Sequence, residues 1–152
     1  RSAFGMMIET GDPTTRDPES DPINWGQAGS DSVVENEDTG LFHFAGTLSA
    51  NTLAGNEGSD GGLIAITAMP AHFRDGTNVV FGSVVEGLEI VETIAQLPPD
   101  MTGQRPETPA VIQTARRGPA NLRSSAARKL TAKMPSAMGA RLRAFTPCAS
   151  RK

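Results

Sequence analysis

Few groupings in this chain have residue types and spacing that suggest chemistry. Gly55, Gly58 and Gly61 recur every three residues, as in a loop that cradles phosphate. No Gly-Lys-Ser or Gly-Lys-Thr follows them, so a flexible surface loop is the expectation. His43 and His72 are the only histidines, too few and too far apart for a metal centre. Cys148 stands alone, which leaves no intrachain disulfide and no thiolate site. No N-glycosylation sequon is present. The sequence therefore implies no metal and no cofactor.

What remains is charge. The net charge of −3 hides a sharp division. All 17 acidic residues precede Arg116, where the only cations are Arg1, Arg16, Arg74 and Arg105, so residues 1–115 carry −13. The other ten cations lie in 116–152 without an acid, giving +10. Such a split marks two physically different segments, the second suited to an acidic partner. Phe145 is the only aromatic beyond residue 117. Nucleic acid, which is gripped by stacking as well as charge, is therefore the less favoured partner.

The elements that must hold any site are short. At 152 residues the chain fits one ordinary domain, with a modest mean hydropathy of −0.27. The longest apolar run, Gly62 to Pro70, is far below the ~20 residues a membrane helix needs. Met6-Met7-Ile8 reads as a buried strand closed by the turn Gly11-Asp12-Pro13. Further strands are expected at Gly46 to Ser49, Leu63 to Thr67, Val79 to Val85 and Val111 to Thr114. Residues 32–39 and 51–62 read as polar, weakly structured loops, and Met69 to Gly76 as a turn or short helix. Leu88, Val91, Ile94 and Ala95 have the spacing of one face of a helix, which Pro98-Pro99 ends. Beyond residue 117, Leu122, Ala126 and Leu130, then Met138, Leu142 and Phe145, predict two short basic amphipathic helices outside the fold. The pattern as a whole favours a β-barrel or sandwich with an accessory helix.

Four stretches carry a resemblance to a known family. They are Arg1-Ser2-Ala3-Phe4-Gly5-Met6-Met7-Ile8-Glu9-Thr10-Gly11-Asp12, Gly46-Thr47-Leu48-Ser49, Asp75-Gly76-Thr77-Asn78-Val79-Val80-Phe81-Gly82 and Glu86-Gly87-Leu88-Glu89-Ile90-Val91. In order and spacing they resemble the cyclophilins, over about residues 1–117. Glu9-Thr10-Gly11-Asp12-Pro13 is similar to chloroplast members, including those of the thylakoid lumen. The resemblance implies a mainly β fold, a closed antiparallel β-barrel with a capping helix. The family's usual N-terminal strands and first helix have no counterpart before Arg1, and we expect the chain to begin inside its domain. Residues 118–152 form a separate basic tail in this reading.

The resemblance also implies a reaction, prolyl cis–trans isomerisation. Amide resonance sets a barrier of ~18–20 kcal/mol. An apolar pocket for the ring and a cationic donor near the twisted amide can lower it without nucleophile or metal. Arg1 matches the family's catalytic arginine, although a solvated terminal arginine would look the same. Met7 matches a pocket methionine, and Met6 replaces a phenylalanine. Glu9 replaces a glutamine, exchanging an amide for a carboxylate that could pair with Arg1. Ile64 replaces a pocket phenylalanine, and one extra residue in the loop before Asp75 puts His72 or Phe73 near the family's tryptophan. Asn78 replaces a rim histidine. The barrel-building residues Val79 to Gly82, Ile90 and Val91 are kept while the rim departs. The expectation is a domain with weak or no isomerase activity, serving as a subunit or binding module of a larger assembly through its basic tail. The alternative is an active isomerase acting on proline-containing peptides.

Overall fold

The computed structural model describes residues 2–3, 5–17, 19–52, 58–103, 105–117, 129–133 and 141–147. Its strands are β1 (Ser2–Ala3), β2 (Met7–Thr10), β3 (Val33–Val34), β4 (Thr47–Ala50), β5 (Ser59–Asp60), β6 (Ile64–Thr67), β7 (Val80–Glu86), β8 (Val111–Thr114), β9 (Lys129–Lys133) and β10 (Arg141–Pro147). One α-helix, α1 (Leu88–Ala95), follows β7 among the described residues. Eight strands form an antiparallel sheet in the order β1-β2-β6-β4-β7-β10-β9-β8, and β3 pairs with β5 in a small second sheet. Among the described residues no ladder joins β1 to β8. The closure that was expected of a barrel is thus not seen in the pairing of the described residues.

The central strands form where β-branched and apolar residues stand. In β6 the Ile64-Ala65-Ile66-Thr67 run suits a pleated, half-buried surface. Its register with β2 matches Met7 to Thr67, Ile8 to Ile66, Glu9 to Ala65 and Thr10 to Ile64. Successive side chains point to opposite faces. One face therefore carries Ile8, Ile64 and Ile66, and the other carries Met7, Glu9, Ala65 and Thr67. The first face meets α1, whose buried side is Ile90, Val91, Ile94 and Ala95. Each such aliphatic side chain contributes about 1.5–3 kcal/mol by leaving water. The helix starts at Gly87, whose φ of 97° is left-handed, and Glu89 places a negative charge at its positive end. It stops before Pro98, because the residue preceding a proline is turned away from helical geometry.

Two expectations change. The weakly structured stretches 32–39 and 51–62 contribute β3 and β5, which pair Val33 with Asp60 and Val34 with Ser59. The predicted basic helices are replaced, where the chain is described, by strands. Leu130 lies in β9, and Leu142 and Phe145 lie in β10, while Leu122, Ala126 and Met138 fall outside the described residues. β10 pairs with β7 from Gly82 to Glu86 and with β9, and β9 pairs with β8. The physical reason is the edge of β7. A short isolated helix is marginal in water, whereas β7 offers a row of backbone donors and acceptors that need partners.

Gly11 sits where the chain leaves β2. Its φ is +104°, and a Cβ there would overlap the Gly62 carbonyl. Gly76 also has positive φ, +76°, but open space around it. Gly11→Ala is expected to destabilise by about 3 kcal/mol or more, and Gly76→Ala by about 1 kcal/mol. Urea unfolding of both variants checks this difference; equal losses would contradict the packing at Gly11.

Candidate functional site

The face of β2 and β6 that carries Glu9 also carries the most connected polar group in the described chain. Glu9 Oε1 accepts a hydrogen bond from Arg74 Nη2 at 2.9 Å and one from Asn51 Nδ2 at 2.9 Å. Arg74 Nη1 donates to Asn51 Oδ1 at 2.9 Å. Asn78 Nδ2 donates to the Ala50 carbonyl at 3.0 Å and lies 3.4 Å from Asn51 Oδ1. The orientation of the Asn51 amide follows from chemistry, because a guanidinium only donates and a carboxylate only accepts. Glu9 and Arg74 keep 17% and 18% of their side-chain surface exposed, so the pair is neither sealed nor bathed in solvent.

Three elements deliver these groups. β2 supplies Glu9, and Asn51 follows β4. Arg74 ends a 3-10 turn, His72–Arg74. That turn is closed by Arg74 N–H donating to the Ala71 carbonyl, and the Arg74 carbonyl accepts from Thr77 N and Asn78 N. It is tied to the body of the protein by Asp75. Asp75 Oδ1 accepts from the His43 backbone N–H and meets His43 Nδ1, both at 2.8 Å, and Oδ2 meets His72 Nδ1 at 2.9 Å. His43 is fully buried, so this anchor lies inside the fold. Facing a carboxylate, its Nδ1 carries the proton. Burial works to raise the Asp75 carboxyl. The hydrogen bonds from the His43 ring and amide and from His72 outweigh it and hold the group below the usual carboxylate range.

The neighbouring loops hang on two more buried carboxylates. Asp12 accepts from Thr14 N–H and hydroxyl and from the amides of Gly26 and Ala28, which fastens the loop after β2. Asp60 accepts from the amides of Ser30, Gly62 and Leu63. In both, burial alone would raise the carboxyl, but the donors prevail and the pKa is lowered.

The residues expected at the site are placed as follows. Arg1 lies outside the described residues. Glu9 is present, and the cation beside it among the described residues is Arg74. Met7 is fully buried against Ala65 and Ala71. Met6 is half-buried in the turn before β2, and its carbonyl accepts from Ala68 N–H. Ile64 pairs with Thr10, packs toward the main core and sits on the sheet face opposite Glu9, so Ala65 is the β6 residue beside Glu9. Phe73 is 65% exposed. The His72 ring stacks edge-on against Phe44, with centroids 5.3 Å apart. Asn78 joins the polar group. Arg74 and Asn51 were not anticipated, although Arg74 is one of only four cations before residue 116.

Glu9, Asn51 and Arg74 line a cavity of about 1060 Å³, whose apolar wall includes Ile8, Leu63, Trp25 and Ile112. Guanidinium and amide donors beside apolar surface can hold a backbone carbonyl and an apolar side chain at once. No group of three potential metal ligands occurs among the described residues. No helix among them is long and apolar enough to cross a membrane.

The described chain is thus a mainly β sheet with one α-helix packed on one of its faces. The family model described as cyclophilin type peptidyl-prolyl cis-trans isomerase/CLD matches residues 1–117, and the chain belongs to that family. Among solved structures it is similar to a Cryptosporidium parvum cyclophilin type peptidyl-prolyl cis-trans isomerase determined in the presence of the dipeptide Ala-Pro. The TM-score is 0.55 at 22% identity, over 70% of this chain and 65% of that one. A second structure of that isomerase gives the same TM-score and identity over 70% of this chain and 64% of the other. This chain thus spans slightly less than two thirds of the length of those relatives. At 22% identity the likeness is one of fold.

Asp12, Asp60 and Asp75 predict an acid limb. Each has a folded pKa below its ordinary value, so its contribution is complete above about pH 3.9 and is lost as pH falls through the lower folded value. Thermal unfolding followed from pH 7 to pH 2 is expected to be level above about pH 4 and to fall below it. Asp60→Asn is expected to lower the plateau and to flatten the acid limb. An unchanged limb would contradict the role given to Asp60.

Proposed function

We propose that this domain binds proline-containing peptides with weak or no isomerase activity and serves as a binding subunit of a larger assembly. One observation carries the reading. Glu9 stands where the family resemblance leads one to expect a neutral glutamine, and it is held in an ion pair with Arg74. The exchange replaces an amide that can donate by a carboxylate that only accepts, beside the position expected for Arg1, and only interactions that strengthen in the transition state accelerate a reaction. Ala65 beside Glu9 supports the same conclusion, because a methyl group offers no aromatic wall to a proline ring. Peptide binding is supported by the cavity that Glu9, Asn51 and Arg74 line, and by the similar Cryptosporidium isomerase having been solved with Ala-Pro. The +10 charge of residues 116–152 supports attachment to an acidic protein surface. The Glu9-Thr10-Gly11-Asp12-Pro13 stretch supports a place among chloroplast, thylakoid-lumen cyclophilins.

The test is cis–trans exchange of an Ala-Pro tetrapeptide, measured by NMR with and without protein. Uncatalysed exchange takes tens to hundreds of seconds. The expected result is peptide binding with exchange within a few-fold of that rate. A large acceleration abolished by Arg1→Ala would establish instead an active isomerase. For the assembly, a captured acidic partner is expected to be released at moderate salt.

A further inference from the structure

We infer that Arg74 is a substrate-binding and specificity-determining residue that donates to the carbonyl oxygen preceding proline in a bound peptide. This rests on the peptide-binding reading above and gives it a chemical handle.

The guanidinium has five N–H donors in a fixed plane. Among the described residues two are engaged, one with Glu9 Oε1 and one with Asn51 Oδ1. The remaining donors belong to a side chain that lines the cavity and keeps part of its surface exposed. The group is also fixed before any ligand arrives. Its backbone is closed into a 3-10 turn, that turn is pinned by Asp75 to the buried His43, and two side chains orient the guanidinium. A donor held in this way loses little entropy when an acceptor binds.

Charge selects the acceptor. Glu9 Oε1 already lies against the guanidinium, so a ligand carboxylate there would place a second negative charge beside it. A neutral amide oxygen adds no such repulsion. An Xaa-Pro amide also lacks the N–H that other peptides would have to satisfy at the same spot. The apolar wall of Leu63 and Trp25 gives adjoining side chains a place to bury. A donor that grips the ground-state carbonyl raises affinity without raising rate. This accounts for binding without fast turnover.

The experiment compares two capped Ala-Pro tetrapeptides, one with the oxygen preceding proline and one with sulfur, a weaker acceptor, in its place. Dissociation constants are measured for the wild-type chain, Arg74→Leu and Arg74→Lys, with thermal unfolding as the check on folding. The wild type is expected to prefer the oxygen peptide about tenfold. Arg74→Leu is expected to bind the oxygen peptide about tenfold more weakly and to lose the preference, and Arg74→Lys to keep part of it. If Arg74→Leu weakens both peptides equally and the preference survives, Arg74 acts only on structure and the inference is overturned. It is overturned equally if Arg74→Leu changes nothing. Failure of the wild type to bind either peptide would instead sink the peptide-binding reading itself.

Discussion

The antiparallel register between β2 and β6 is the constraint on which the rest of this domain depends. Matching Ile8 to Ile66 sends both toward α1, and the same pairing puts Met7, Glu9 and Ala65 together on the opposite face. The side-chain period of a strand is two, so a slip of one residue would exchange the faces. It would send Glu9 toward α1 and take the isoleucines away from it. The cost of an unpaired carboxylate in the core makes that alternative inaccessible. Gly11 then lets the chain leave β2 tightly against Gly62, which keeps the loops held by Asp12 and Asp60 close to the end of the ladder.

The second half of the site comes from far along the chain. Arg74 reaches Glu9 across 65 positions of sequence because the turn that carries it is moored through Asp75 to buried His43. Most of that mooring consists of hydrogen bonds to a carboxylate, which are stronger than neutral ones. The outcome is an ion pair whose members are each about four-fifths covered and whose geometry is shared with Asn51. Such a pair adds little net stability. Its consequence is positional, since it fixes a cation at the wall of a cavity.

How much of this could be read from sequence differs by kind of element. β7, β8 and α1 were legible, because Val79 to Val85, Val111 to Thr114 and the 88, 91, 94, 95 spacing show their periods locally. Met7 and Glu9 were legible as neighbours in a strand. Ile64 lies on the face opposite Glu9, and in a strand one residue is the whole difference between two faces. β9 and β10 were hidden because Leu122, Ala126 and Leu130 imitate a helical repeat over barely two turns. What decides their form is the edge of β7, a long-range partner that no local window contains. The Glu9–Arg74 contact was hidden for the same reason. A rare cation in an acidic stretch was its only trace.

The direct measurement of this account is a side-chain NMR map of the protein titrated with an Ala-Pro tetrapeptide. The account predicts that the Arg74 Nε–H and the side-chain amides of Asn51 and Asn78 shift together along one binding curve. Shifts confined to other surfaces, with these three groups unmoved at saturation, would contradict it.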